Sequence, residues 1–324
     1  MTRFSIVVPT FERPDTLFAV LDAVGQQRGA PDFEVIVVDD GSRDATPREL
    51  ARYRAGYPFR FFSQKNSGPA SARNSGVAES RGEIVLFLGD DTVPEEDLLA
   101  VHAAAHDERR PHPAAVLGYT TWPRERRVSP FLHHINEYGL QFGYGLIEDP
   151  ESVPFNFFYT SNISLPRHLL VSAGLFDTTF PHAAWEDIEI AYRLMKMGMK
   201  IVYRASAVAR HHHDITFSSF RRRQEKAGEA AAIFYAKHPE LGDFLAVPQA
   251  ILLPNGKSRG GWLLPVWAAL AEKWDLPGGR KAVDRVLRND YLRGLQRALH
   301  RAGASSRSHP SEVTSCRFSR SESR

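Results

Sequence analysis

Apolar positions in the first hundred residues alternate between two rhythms. Ser5–Pro9, Glu34–Val38, Phe59–Phe62 and Ile84–Leu88 are short, nearly continuous apolar runs. Between them, 15–26, 45–55, 70–80 and 95–107 read as helices. Continuous apolar strands alternating with helices predict a parallel sheet buried on both faces. Right-handed crossovers make it an open α/β sheet. Ligands of such sheets bind outside the carboxyl ends of the strands.

From about 110 to 180 the rhythm breaks into aromatics, prolines and short segments. That predicts a substrate-shaping insert rather than another βαβ unit. Glu186–Met197 predicts a helix with Ile190, Leu194 and Met197 on one face. Lys200–Tyr203 predicts a short strand, and Ser219–His238 a helix stopped by Pro239. Residues 280–300 predict an amphipathic basic helix with Val283, Val286, Leu287, Tyr291, Leu295 and Leu299 on one face. The Ser/Arg-rich residues 303–324 predict a disordered tail.

With 324 residues, 43% of them hydrophobic, the chain can bury a large core, which excludes whole-chain disorder. The single cysteine, Cys316, excludes an internal disulfide and a Cys-based zinc site. No segment reads as a signal peptide, and none approaches the ~18–20 apolar residues of a membrane span. The longest candidate is Trp262–Ala271. A cytoplasmic protein is therefore expected. The net charge of +3 is uneven: residues 280–301 hold seven basic and two acidic residues, and residues 1–279 are mildly acidic. That argues against a nucleic-acid reader, whose folded domain would carry the basic surface. Two readings of the basic helix stay open. It packs on the protein with a solvated basic face, or it rests, with Trp262–Trp267, on an anionic membrane surface through 262–300.

The chemistry-bearing residues stand just past the strands. Asp39-Asp40-Gly41-Ser42 follows the second strand, where a carboxylate can accept from a base N–H or a ribose hydroxyl; a simple turn is the alternative. Asp90-Asp91 follows the fourth, and hard oxygen ligands there suit Mg²⁺ or Mn²⁺ completed by substrate phosphates. Arg73, on a helix after a Gly-containing turn, has the reach for a ribose or phosphate. Trp185-Glu186-Asp187 opens a helix. In His211-His212-His213, neighbours alternate direction on a strand, so one or two can face a metal; His212 is the choice made among them. Asn255-Gly256-Lys257-Ser258 lacks the upstream glycine and strand of a phosphate loop.

In order and spacing, SIVVPTFERPDTL, EVIVVDDGSRDAT, NSGPASARNSGVAESRGEIVLFLGDDTVPEEDLL and WEDIEIAYRL resemble the family 2 glycosyltransferases. The resemblance covers about 1–215. It implies the GT-A fold: an open, mainly parallel α/β sheet flanked by helices, with a Rossmann-like nucleotide-binding half and here a C-terminal helical extension. The expected division is a nucleotide-sugar half at 1–110, an acceptor and catalytic half at 111–239, a helical extension at 240–302 and the tail.

The resemblance also implies roles. Pro9, Thr10 and Glu12 line the nucleotide, with Arg13 at a less constant position beside them. Asp40, in preference to Asp39, reads the base. Arg73 and Asp90 lie at the nucleotide, and Asp91 binds the metal, with a late His such as His212 assisting because Gly89 replaces an acid. Asp187 is the general base and Glu186 shapes the acceptor site. Ser161, Asn162 and Trp185 line the sugar or acceptor pocket. The reaction implied is inverting transfer of a sugar from a nucleoside diphosphate, UDP first with GDP and dTDP open, to a hydroxyl of a glycan, lipid-linked or small-molecule acceptor, assisted by Mn²⁺ or Mg²⁺. A free Asp has a pKa of about 3.9, so Asp187 is expected to be a weak base. The rivals are a degenerate sugar-nucleotide-binding protein and a sugar nucleotidyltransferase; the latter wants a Gly-rich loop where this chain has Pro9–Arg13. The rings of 138–159 (Tyr138, Phe142, Tyr144, Phe155, Phe157, Phe158) either line the acceptor site or pack the core.

Overall fold

The computed structural model describes residues 2–139, 141–253 and 278–307. Asn255–Ser258, Trp262–Ala271 and the end of the tail with Cys316 lie outside the described residues. The first half alternates as its apolar rhythm dictates: β1 (Phe4–Thr10), α1 (Pro14–Val24), β2 (Phe33–Asp39), α2 (Thr46–Arg52), β3 (Phe59–Ser63), α3 (Pro69–Glu79), β4 (Ile84–Leu88), β5 (Thr92–Pro94) and α4 (Leu98–Glu108). The second half contributes β6 (Ala114–Thr121), α5 (Pro130–Glu137), β7 (Asn162–Pro166), α6 (Arg167–Ser172), α7 (Glu186–Lys196), β8 (Lys200–His211), α8 (Phe217–Lys237), α9 (Val247–Ile251) and α10 (Gly279–Arg307).

The eight strands form one sheet in the order β3-β2-β1-β4-β7-β6-β8-β5. β3, β2, β1 and β4 run parallel, as do β6 and β8. β7 is antiparallel to both neighbours, and β5 to β8. Both faces are covered. Phe4, Ile6 and Val8 pack with α1 and α4, while Val7, Val85 and Phe87 pack with α3 and α7. The run at 110–180 thus supplies two sheet strands as well as an insert. Its rings divide between core and surface: Tyr144, Phe157 and Phe158 are buried, and Tyr138 is exposed.

β8 is twelve residues long where a short strand is expected. Beyond Tyr203 small residues replace large ones, but Ala207, Ala209 and His211 still alternate inward and keep the period of two. The extra length delivers His211 to β5, opposite Thr92.

α10 packs along α8. Val283, Val286, Leu287, Leu292 and Leu295 are buried, and Tyr291 and Leu299 partly so. The two backbones touch: a Cβ at Gly228 would collide with the Tyr291 carbonyl, and one at Gly294 with that of Glu225. Arg221 pairs with Asp290 at 2.7 Å and Arg301 with Glu229 at 2.9 Å. The apolar face of this helix is thus spent on the protein. Arg280, Lys281, Arg285 and Arg288 are exposed. The helix runs to Arg307, into the segment expected to be disordered. No helix among the described residues is long and apolar enough to cross a membrane.

Candidate functional site

The site lies where β1, β2 and β4 end. Asp40 accepts from Gln64 Nε2 (2.8 Å), Ser67 N (2.9 Å) and Gly68 N (2.8 Å). A carboxylate has about four lone-pair positions, so one acceptor position stays open. Asp39 accepts from Ser42 N at 3.0 Å through Oδ1, while its buried Oδ2 has no partner among the described residues. Pro9 and Thr10 end β1. Glu12 follows in the left-handed region at φ 53°, and its N–H reaches Ser42 Oγ at 2.8 Å, tying the first loop to the second.

Past β4 the chain turns tightly. A Cβ at Gly89 would stand 2.7 Å from Thr92 Oγ1 and 3.1 Å from Asp91 Oδ1, so a side chain there would have to push these groups aside. Asp90 accepts from Thr10 Oγ1 at 2.9 Å. Its burial and the Asp91 charge push its carboxyl up to about 7. Asp91 behaves oppositely. Burial acts to raise it, but a hydrogen bond and charge from His211, with Arg13 and His213, outweigh that and hold it well below the usual range. Arg13 Nη1 pairs directly with Asp91 Oδ2; His211 Nε2 lies 3.4 Å and His213 Nδ1 3.5 Å from the carboxylate.

The histidine choice made from sequence is corrected by strand geometry. Alternation sends His211 and His213 to Asp91 and leaves the His212 side chain exposed, with only its backbone N–H reaching the Asp91 carbonyl at 2.7 Å. A carboxylate oxygen beside two imidazole nitrogens is a mixed donor set that fits Mn²⁺ better than Mg²⁺, which takes oxygen ligands. It is not ready-made: among the described residues no three His, Cys, Asp or Glu side chains are arranged to hold an ion, and Arg13 supplies the positive charge at Asp91.

Across the crevice, α7 begins with Glu186 and Asp187. Trp185 before them is left-handed at φ 74°. Its indole N–H donates to the Ala227 carbonyl at 2.8 Å, and its ring packs on Phe234, Phe244 and Tyr291. Trp185 therefore braces α7 against α8 and α10. Glu186 is buried; Arg73 Nη1 donates to its Oε1 at 2.8 Å, and its Oε2 has no partner among the described residues. Arg73 is likewise buried and lies over the Phe176 ring at 5.5 Å. Its observed partner is thus the start of α7 rather than a position open to a nucleotide. Asp187 is half-buried and accepts from Ile188 N at 2.9 Å and from Thr160 N. Burial and the Glu186 charge push it up to about 7, against the lowering effect of Arg73.

Ser161 stays at the β4–β7 junction, its carbonyl accepting from Gly89 N at 3.3 Å. Asn162 does not face the crevice. It is fully buried, donating to the Ala207 carbonyl at 2.9 Å and meeting His102 Nε2 at 3.0 Å. The strand period turns the side chain after Ser161 beneath the sheet.

Arg223 on α8 was not singled out from sequence. It hydrogen-bonds Gln141 Oε1 and feels the charges of Asp187, Glu186 and Asp91. The available signal was its place between the buried Phe220 and Gln224, which puts one arginine of the 221–223 run beside the protein-facing side of the helix.

Residues 5–161 match the model of Glycosyl transferase family 2. Validoxylamine A glucosyltransferase of Streptomyces hygroscopicus subsp. limoneus is 30% identical over 275 residues, 73% of this chain and 57% of that protein. The chain spans less than two thirds of the length of the curated relatives it matches first. Among solved structures, the 1–349 fragment of S. aureus TarS in complex with UDP superposes with a TM-score of 0.55 at 18% identity, covering 93% of this chain and 92% of that one. The mannosyltransferase PcManGT from Pyrobaculum calidifontis, in complex with GDP-Man and Mn²⁺, gives 0.56 at 20% identity, covering 89% and 86%. The fold is that of these GT-A glycosyltransferases. Residues 5–161, which hold the strand ends and the paired acids at 39–40 and 90–91, are the part of the chain that matches glycosyl transferase family 2.

Proposed function

We propose that this chain is an inverting glycosyltransferase that moves a sugar from a nucleoside diphosphate, UDP first, to an acceptor hydroxyl. The carrying observation is that Arg73 of α3, the helix that opens beside Asp40, pairs with Glu186 at the head of α7 at 2.8 Å and so ties Glu186–Asp187 to the strand ends; Asp187, Glu186 and Asp91 all act on Arg223. Relatives named as glucosyltransferase and neighbours holding UDP or GDP-Man support the donor class.

Asp187 is the base. As the acceptor oxygen bonds to the anomeric carbon, its proton passes to the Asp187 carboxylate. The bond from that carbon to the diphosphate breaks, and its electron pair leaves with the phosphate oxygen. A carboxyl near 7 changes the expectation of a weak base: its strength is matched to neutral pH. Glu186, held by Arg73, keeps it there. Asp40 and Asp39 offer acceptors to the base and ribose. Asp91 with His213 and His211 would hold a divalent ion, with Arg13 displaced. Such an ion would neutralise charge on the departing diphosphate. The acceptor is a glycan, lipid-linked or small molecule, the setting is cytoplasmic, and the exposed basic residues of α10 are the surface for any peripheral contact with an anionic membrane.

The test pairs transfer with binding. Asp187→Asn is expected to abolish transfer while nucleotide still raises the melting temperature as in the parent. Loss of nucleotide binding in that variant would refute the assignment. No shift of the parent with UDP, GDP or dTDP, with Mn²⁺ or Mg²⁺, would refute the donor class.

A further inference from the structure

Trp185 stands immediately before the two acids of α7, with its backbone left-handed at φ 74° and ψ −15°. It is the only aromatic residue at positive φ among the described residues. A bulky side chain in that region is strained and persists only where its surroundings over-determine it. The first turn of α7 hangs on it. The Trp185 carbonyl accepts from Glu189 N at 2.8 Å, the first bond of the helix. Glu186 and Asp187 lie in that turn, where backbone N–H groups have no partner within the helix. The direction of the turn is therefore set from outside α7.

The outside support comes from α8 and α10. The indole N–H donates to the Ala227 carbonyl of α8 at 2.8 Å, and the ring lies 5.8 Å from Phe234 of α8 and 6.2 Å from Tyr291 of α10. Tyr291 is itself pinned, its hydroxyl donating to the Leu245 carbonyl at 3.0 Å. The stretch of α8 that holds the indole also meets α10 backbone to backbone. A Cβ at Gly228 would stand 1.9 Å from the Tyr291 carbonyl, and one at Gly294 2.0 Å from that of Glu225. At such close packing α10 cannot shift without moving Ala227 or the Tyr291 ring.

We propose that α10 is a working part of the catalytic site: through Tyr291 it holds Trp185, and Trp185 is the positioning residue that aims Asp187 into the crevice. The inference rests on reading Asp187 as the base. Arg73 holds the head of α7 from the sheet side, through Glu186 at 2.8 Å, and Trp185 holds it from the side of α8 and α10. The ion pair fixes one point. Were Trp185 to relax out of the left-handed region, the first turn would pivot about that point and carry Asp187 with it.

Donor turnover by the full chain, with Mn²⁺ present and water as acceptor, tests this. The readouts are release of UDP from UDP-glucose or UDP-N-acetylglucosamine, release of GDP from GDP-mannose, and calorimetric titration of the free diphosphates. Trp185→Phe keeps an aromatic ring and loses the bond to Ala227, while Tyr291→Ala removes the contact from α10. Both are expected to lower kcat about tenfold or more, as misplacing a catalytic group does, with the diphosphate Kd within about twofold of the parent. Tyr291→Phe, which keeps the ring, should recover most of the loss. Rates are read below each variant's melting temperature, and Trp185→Phe carries the test where Tyr291→Ala does not fold. An unchanged kcat with a lowered melting temperature, or equal losses of kcat and affinity, would overturn the proposal alone. So would a raised donor KM at unchanged kcat, or a Tyr291→Phe variant as impaired as Tyr291→Ala. An Asp187→Asn variant that keeps the parent's turnover, or a parent that releases nucleotide from none of these donors, would overturn the reading beneath it.

Discussion

At the end of β4, Asp91 gathers Arg13, His211 and His213, while Asp90 beside it is pushed up to about 7. At the start of α7, Glu186 pairs with Arg73, while Asp187 beside it is also pushed up to about 7. In each pair one carboxylate is ion-paired with an arginine, and burial together with its charge raises the other. The pairs differ in what surrounds the raised member. Asp90 accepts from a side chain, Thr10 Oγ1, and from the β1 loop backbone. Asp187, half-buried like Asp90, accepts from two backbone N–H groups, one of them at the head of α7. On the proposed reading, this difference goes with donor contact at the first pair and proton transfer at the second.

The largest expected effect separates the two raised acids. Asp187→Asn should lower kcat roughly a thousandfold, within the range of general-base contributions, with the apparent Kd for UDP within twofold. Asp90→Asn should mainly weaken UDP, through the contact with Thr10. If the two variants lose kcat and nucleotide affinity in the same proportion, the pairs are not specialised.

A second expectation concerns the two cations. Arg73 and Glu186 are both buried, so Arg73→Met leaves a buried charge unpaired and should cost about 3–5 kcal/mol of unfolding free energy. Arg13 is 39% exposed, and Asp91 keeps two histidines, so Arg13→Met should cost less than about 1 kcal/mol. Urea unfolding of both variants at pH 7 measures this. Equal costs would break the comparison.

This asymmetry was only partly legible in the sequence. Four of the five strands of the first half follow from their apolar runs, and the acids are legible because they stand where those strands end. Arg73 is different. Its position past a glycine turn predicts reach toward a nucleotide, but its partner Glu186 is 113 residues away, and only the packing of α3 against the start of α7 reveals it. Asn162 follows Ser161 in sequence yet meets His102 beneath the sheet, which β7 alternation settles once the strand is known. The His211–His213 run was readable as alternating, but the phase was not, because the strand continues past the apolar residues that announce it.

The smallest expected effect probes how the catalytic pair is tuned. If Asp187 acts as a base, kcat falls on the acid side as its carboxyl takes up a proton, with a limb near 7. Glu186 contributes to that position by its negative charge, and Arg73 opposes it. Glu186→Gln removes the raising charge and frees Arg73 to act unopposed. Both changes favour ionised Asp187, so the limb should move to lower pH, by about one unit or less for a single neighbouring charge. Arg73→Met has the opposite sign, since it removes the lowering charge and leaves Glu186 in place; where the variant stays folded its limb should move up. Opposite displacements in the two variants would tie the limb to Asp187. A merely structural Glu186–Arg73 pair would instead change the plateau of kcat while leaving the limb where it stands, and a limb belonging to Asp90, on the far wall, would follow neither substitution.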